Sequence, residues 1–249
     1  MKLLVICLSL MSILWALPVD IEENETYELE KTSVAVITKI DGKAKILSKE
    51  SIKKHKAKLG EALFEGDILI TYAASTVLVE LDDSSKVILN ESSELSFTNK
   101  IHLEQRGGEV YYKIKTRKAS KGLEVKTPFS IMGIKGTEFI VGAQGQIALN
   151  EGLVAIRSLE MNFELHKQKV MQAYKEFKDE QNRAFEDYKS AGENQTISYV
   201  REFDLEAGKV LEFFHKEACQ ESCEAKVNEK VISQEMLKRF ERYKQLLSE

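Results

Sequence analysis

The sequence predicts a mainly β protein, a sandwich, barrel or roll of many short strands, with a long α-helix inserted late in the chain and another at the C-terminus. Three observations carry that prediction. Short alternating or β-branched runs separated by turn residues fill residues 33–158, the texture of an all-β domain. Near Glu160 the apolar period changes from two to about three and a half residues, and it does so again from Ser233 onward. Only two prolines, Pro18 and Pro128, interrupt the 249 residues, so a proline-rich linker is not expected.

The first elements lie at the N-terminus. Met1-Lys2 precedes an apolar run from Leu3 to Trp15, and Ala16 offers a small residue before Pro18. This is the pattern of a secretory signal peptide over 1–16, and it is shorter than the ~20 residues of a spanning helix. An uncleaved anchor is the alternative reading. Nothing later is apolar enough to cross a bilayer, so no transmembrane segment is expected after cleavage. An acidic, loose arm follows over 17–32. Removal of the signal peptide leaves two cysteines, Cys219 and Cys223, and the oxidising compartment of an exported chain favours a disulfide between them. With His215 they stand at i, i+4, i+8, so a metal or redox protein using Cys219 and Cys223 is an alternative.

The β domain is expected over 33–158. Val34 to Ile40 leads through Asp41-Gly42 into Lys43 to Leu47, a hairpin signal because both turn residues favour positive φ. Further strands are predicted at 67–71, 76–81, 86–89, 94–97, 109–114, 123–126, 138–141, 146–149 and 154–158. The inserted amphipathic helix is placed at 159–190, with Phe163, Val170, Tyr174, Phe177 and Tyr188 on one seam. That seam is the expected partner surface, through which the protein self-associates or captures a partner helix. A closing hairpin is expected over 196–214, turning at Glu206-Ala-Gly208. The segment 215–249 then holds the cysteines and a last helix, with Ser233 as its N-cap and Met236, Phe240, Tyr243 and Leu247 on one side.

The chemistry-bearing patterns are sparse. The four histidines, His55, His102, His166 and His215, are scattered without metalloprotease spacing, and no nucleophile elbow or P-loop ending occurs. The sequence therefore predicts no enzyme, no cofactor and no resident metal. The net charge of −4 gives no footprint for nucleic acid. The basic run over 48–58 reads as a solvated loop.

An ordered series of motifs does point to a family. Gly60-Glu-Ala-Leu63 and Gly66-Asp67-Ile-Leu-Ile-Thr71 are followed by Ser75 to Leu81, Asp83-Ser84-Ser85 and Val87-Ile-Leu89. Ser93-Glu94-Leu95, Gly107-Gly108-Glu109-Val110 and Thr127-Pro128 come next, then Gly133-Ile-Lys135-Gly136-Thr137-Glu138-Phe139 and Asn150-Glu151-Gly152. The stretch from Gly60 to Ser158 resembles the FecR-type domain of bacterial envelope proteins, and Phe203 to Leu211 resembles its closing hairpin. The resemblance implies a β-sandwich or roll in which Gly66, Asp67, Thr127, Pro128, Lys135, Gly136, Thr137 and Phe139 are structural motif positions. It also implies non-enzymatic binding or scaffolding in the periplasm, with an envelope protein or glycan as partner. The second reading is a component of envelope signalling that lacks direct sigma-factor contact, because no cytoplasmic region precedes the apolar segment. Two positions depart from the family. Ser84 stands where glycine is usual, which predicts a different turn type, and Lys135 replaces an arginine before Gly-Thr.

Overall fold

Alternation along the strands decides the architecture. In the computed structural model, which describes residues 33–116, 122–168, 195–215, 217 and 223–248, one row of side chains from each strand points into a shared core. The strands run β1 (Ser33–Asp41), β2 (Ala44–Leu47), β3 (His55–Lys56), β4 (Ala62–Phe64), β5 (Ile68–Thr71), β6 (Thr76–Leu81) and β7 (Lys86–Leu89). Next come β8 (Glu94–Asn99), β9 (His102–Gly107), β10 (Val110–Lys113), β11 (Leu123–Lys126), β12 (Ile131–Ile134), β13 (Glu138–Val141) and β14 (Ile147–Glu151). The last are β15 (Leu153–Arg157), β16 (Phe163–Gln168), β17 (Gln195–Val200), β18 (Glu202–Glu206), β19 (Lys209–Phe214) and β20 (Lys226–Val231), followed by helix α1 (Gln234–Ser248).

They form two sheets. The larger has the order β17-β16-β20-β19-β14-β13-β10-β7-β6-β1-β4, and the smaller β18-β15-β12-β11-β9-β8-β5-β2-β3. Pairing is antiparallel except for β9 with β11 and β16 with β20. One apolar cluster lies between the sheets and extends from Val34 through Leu69, Tyr112 and Phe139 to Phe163 and Val227. Tyr112 and Phe139 stack within it at 4.6 Å. Such aromatic pairs contribute about 0.5–1.5 kcal/mol beyond their buried area.

The outer faces differ. On the smaller sheet charges alternate across neighbouring strands: Arg106 meets Glu104 at 3.1 Å and Glu94 at 3.5 Å, and Lys126 meets Glu104 at 3.4 Å. Partial burial pushes the other way, yet Arg106 and Lys126 hold the Glu104 carboxyl below its usual value. These exposed pairs keep the face wet and add at most about 1 kcal/mol each. The larger sheet instead carries a second apolar cluster. Ile88, Tyr111, Ile140, Ala148 and Val210 receive Met236, Phe240 and Tyr243 of α1. β10 is consequently buried on both faces at Val110, Tyr111 and Tyr112. The helix begins as its sequence predicts, with the Ser233 hydroxyl accepting from the Met236 N–H at 3.2 Å. Among the described residues no helix is long and apolar enough to cross a membrane.

Four expectations need correction. The helix placed at 159–190 is contradicted where the structure describes it: β16 is a strand, paired with β17 and β20, and α1 is the one helix among the described residues. Phe163 and Leu165 point into the core at alternate positions, while Glu164 and His166, paired at 2.7 Å, take the other face. Phe163 is therefore core and not partner surface. Val170, Tyr174, Phe177 and Tyr188 lie outside the described residues, as do the signal peptide and arm of 1–32. Asp41-Gly42 does not close a hairpin, because β1 and β2 belong to different sheets. Glu206-Ala-Gly208 likewise carries the chain from β18 in the smaller sheet to β19 in the larger, so 196–214 is a crossing between sheets. Both turns keep the positive φ that glycine favours, +83° at Gly42 and +80° at Gly208. Ser84, finally, adopts a φ of 61°, so the turn retains a left-handed residue without glycine. The Asp83 carboxylate accepts from the Ser85 N–H at 2.9 Å and holds it there.

Two substitutions of opposite sign follow. Gly136 has a φ of 67°, and an added Cβ would sit 2.3 Å from the Thr116 hydroxyl, so Gly136→Val should cost roughly 1–3 kcal/mol. Ser84→Gly should stabilise by about 0.5 kcal/mol, since relief of the left-handed serine exceeds the chain entropy added. Denaturant melts of both variants check this; equal midpoints would refute it.

Candidate functional site

Three connections between strands meet at one end of the sandwich and build a cleft. The first is Gly107-Gly108, leading from β9 to β10. Gly108 has a φ of 74°, and an added Cβ would lie 2.3 Å from the Ser93 Cα, so only glycine lets the two backbones approach. The buried Gln105 amide donates to the carbonyls of Gly108 at 3.0 Å and Val141 at 3.1 Å. Its oxygen accepts from the Tyr112 hydroxyl at 2.9 Å, and burial pushes that phenol well above its usual range.

Thr127 to Ser130 form the second connection. The Thr127 hydroxyl accepts from the N–H groups of Ser130 at 3.0 Å and Phe129 at 3.2 Å, a threonine-closed turn, and Pro128 fixes the intervening φ. The third is the loop 142–146, tightened by Gly142 N–H to Gln146 carbonyl at 2.7 Å. The Phe129 ring packs so closely on Gly145 that a Cβ there would come within 2.6 Å of it. Phe129 also stacks on Phe213 at 5.9 Å, which joins the loops to the end of β19.

The resulting cleft encloses about 790 Å³ and is lined by Glu109, Phe129, Gln144, Gln146, Glu212, Phe214, His215 and Arg239, among others. Its fixed charges are paired. Arg239 of α1 forms an ion pair with Glu109, whose carboxylate also accepts from the Tyr243 hydroxyl. Burial raises the Tyr243 phenol, against the opposing charges of Arg239 and Arg242. Glu212 meets Lys230 at 2.7 Å. Phe214, Gln144 and His215 are left exposed, so the wall offers stacking and hydrogen-bonding groups on a preorganised frame.

The motif residues divide between the two ends of β12. Thr127 and Pro128 line a small depression beside the cleft, together with Gln105 and Gly108, and Phe129 is shared by both. Lys135, Gly136 and Thr137 lie past the other end of β12, where Thr137 exchanges backbone hydrogen bonds with Ile114 at 2.9 and 3.1 Å. Lys135 is exposed and Phe139 is core. Gly66 and Asp67 form a tight turn, in which the Asp67 carboxylate accepts from the Phe64 N–H at 2.9 Å. Cys223 is fully buried and His215 sits on the cleft rim, while Cys219 lies outside the described residues. No group of three or more His, Cys, Asp or Glu among the described residues is placed to hold a metal. Gln105, Gln144 and the Glu109–Arg239 pair were not predicted from sequence. An inward amide between Leu103 and Gly107 was the one local signal of Gln105.

Residues 67–155 match the family model described as FecR protein. Two crystal structures of a candidate anti-sigma factor from Parabacteroides distasonis ATCC 8503, at 1.65 and 2.50 Å, are similar in structure. Their TM-scores are 0.45 and 0.44 at 12% and 13% identity, over 69% of this chain. This chain spans 62% of the length of that protein. Among curated proteins none matches the sequence.

The cleft frame yields a test. Gln105→Leu strands two carbonyls and the Tyr112 hydroxyl, and should cost about 1–3 kcal/mol. Adding Tyr112→Phe should restore part of that loss in a double-mutant cycle. Strict additivity would show that the amide does not hold the loops together.

Proposed function

Because residues 67–155 form a FecR-type domain, we propose that the protein is a non-enzymatic binding or scaffolding module of the bacterial cell envelope. One observation carries this reading. The floor of the cleft comes from turns inside the matched segment, and its walls at Phe214, His215 and Arg239 come from the chain beyond it. A rigid frame with exposed aromatic and amide groups suits recognition of an envelope protein or glycan.

The apolar run before Ala16 serves export in this reading, and the mature chain works in the periplasm. There Cys219 bonds to Cys223, which is already sequestered from solvent; closing so short a loop contributes about 2 kcal/mol or less. The family match also favours a second reading, in which the protein takes part in envelope signalling.

A photo-crosslinking residue at Gln144, in the cleft, should trap a discrete adduct in intact cells. The same residue at exposed Thr98, in the smaller sheet, should not. Phe214→Glu should remove the Gln144 adduct and leave the fold unchanged. Indistinguishable patterns at both sites, or recovery of the chain in the cytoplasm, would refute the proposal. Altered transcription on deletion, with no adduct at Gln144, would favour the signalling reading.

A further inference from the structure

The apolar cluster under α1 is separate from the sandwich core. Its sheet side includes Ile88, Tyr111, Ile140 and Ala148, all within the matched segment 67–155, whereas α1 lies outside it. A face of the FecR-type domain is thus covered by an appended element. That element follows the last of the described strands, joined to β20 through Ile232 and Ser233 alone. Its departure would break no strand pair. A helix of 15 residues is marginal in water by itself, so its order depends on docking.

The contacts specify what the face accepts. Tyr111 stacks on Tyr243 at 4.9 Å and meets the Phe240 ring edge-on at 6.2 Å. Acids stand on the sheet and bases on the helix. Glu109 pairs with Arg239 at one end, and buried Glu138 faces Lys244 at 3.8 Å at the other. The second Glu138 oxygen is buried without a hydrogen-bond partner, so this end of the dock is only partly satisfied. The face fits an amphipathic helix with aromatic residues four and seven places after its first apolar anchor and basic residues beside them.

We propose that this face is a helix-docking site that exchanges its own α1 for the α1 of a second copy of the chain. Exchange between identical copies reproduces every contact named above, which makes the second copy the occupant of best complementarity. Because exchange recreates the Glu109–Arg239 pair that lines the cleft, a ligand in the cleft favours neither form. The exchange itself does not depend on what the cleft binds.

The test uses the full chain and a fluorescent peptide of residues 233–249. Phe240→Ala loosens the resident helix, so the peptide should bind this variant at least about tenfold more tightly than the wild type. Glu109→Lys added to Phe240→Ala should remove that gain, and an Arg239→Glu peptide should restore it. Mixed labelled and unlabelled wild-type protein should form mixed dimers that increase with concentration. Equal peptide affinity for wild type and Phe240→Ala, or monomers at every concentration, would overturn the proposal. So would an unrelated basic amphipathic helix binding as tightly as the α1 peptide.

Discussion

The whole arrangement depends on the burial of two facing rows of apolar side chains, one from each sheet. The chain satisfies this by passing repeatedly between sheets, so that strands close in sequence are rarely confined to one layer. β1, β4, β6 and β7 contribute to the larger sheet, while β2, β3, β5 and β8 build the smaller. Two of the passages turn so tightly that one backbone lies hard against another. Gly42 lies against Ala74 and Ser75, and Gly108 against Ser93. Hydrogen bonds then lock the crossings: the Thr71 hydroxyl accepts from the Ser93 N–H at 2.9 Å and donates to the Asn90 carbonyl.

This continuity extends past the family match. β18 pairs with β15 through five residue pairs, and β19 pairs with β14 at Leu149, Ala148 and Ile147. Without them the matched segment would leave β14 and β15 as bare edges, templates for unwanted pairing. Phe163 meets Phe203 at 5.9 Å and Phe213 at 5.7 Å, so late strands from both sheets share one aromatic contact. The cleft exists because of that extension. Its floor is fixed by Gln105 and Thr127, and β19 and α1 bring Phe214 and Arg239 alongside.

How far this was legible follows from what each local signal can report. Strands β6, β7, β11 and β13 were read with correct limits because their apolar residues are continuous or strictly alternating between turn residues. α1 was legible from its N-cap and its stripe. β9 escaped because its inward row is Leu103 and Gln105, and a buried amide mimics a surface residue. β16 was misread because Glu164 and His166 are buried beside Phe163 and Leu165, and the following residues suggested a longer period. The turn residues at Asp41-Gly42 and Glu206-Ala-Gly208 announced reversals of the chain, although of the Asp41-Gly42 pair only Gly42 takes the positive φ expected of both. They could not announce whether the next strand pairs with the last or enters the other sheet, because that choice is made by distant partners. For the same reason the cleft was invisible: Glu109, Phe129, Gln144, Phe214 and Arg239 meet only after both sheets close.

The central claim is that the matched segment and the strands after it form one cooperative core, with α1 as a separately releasable cover. Native-state hydrogen exchange tests it most directly. Amides of β18, β19 and β20 should open with the same free energy and denaturant dependence as those of β6, β7 and β10, while α1 opens at a lower free energy. If β18 to β20 exchange well before β6 to β10, the extension is an accessory layer and the account of a single core is wrong.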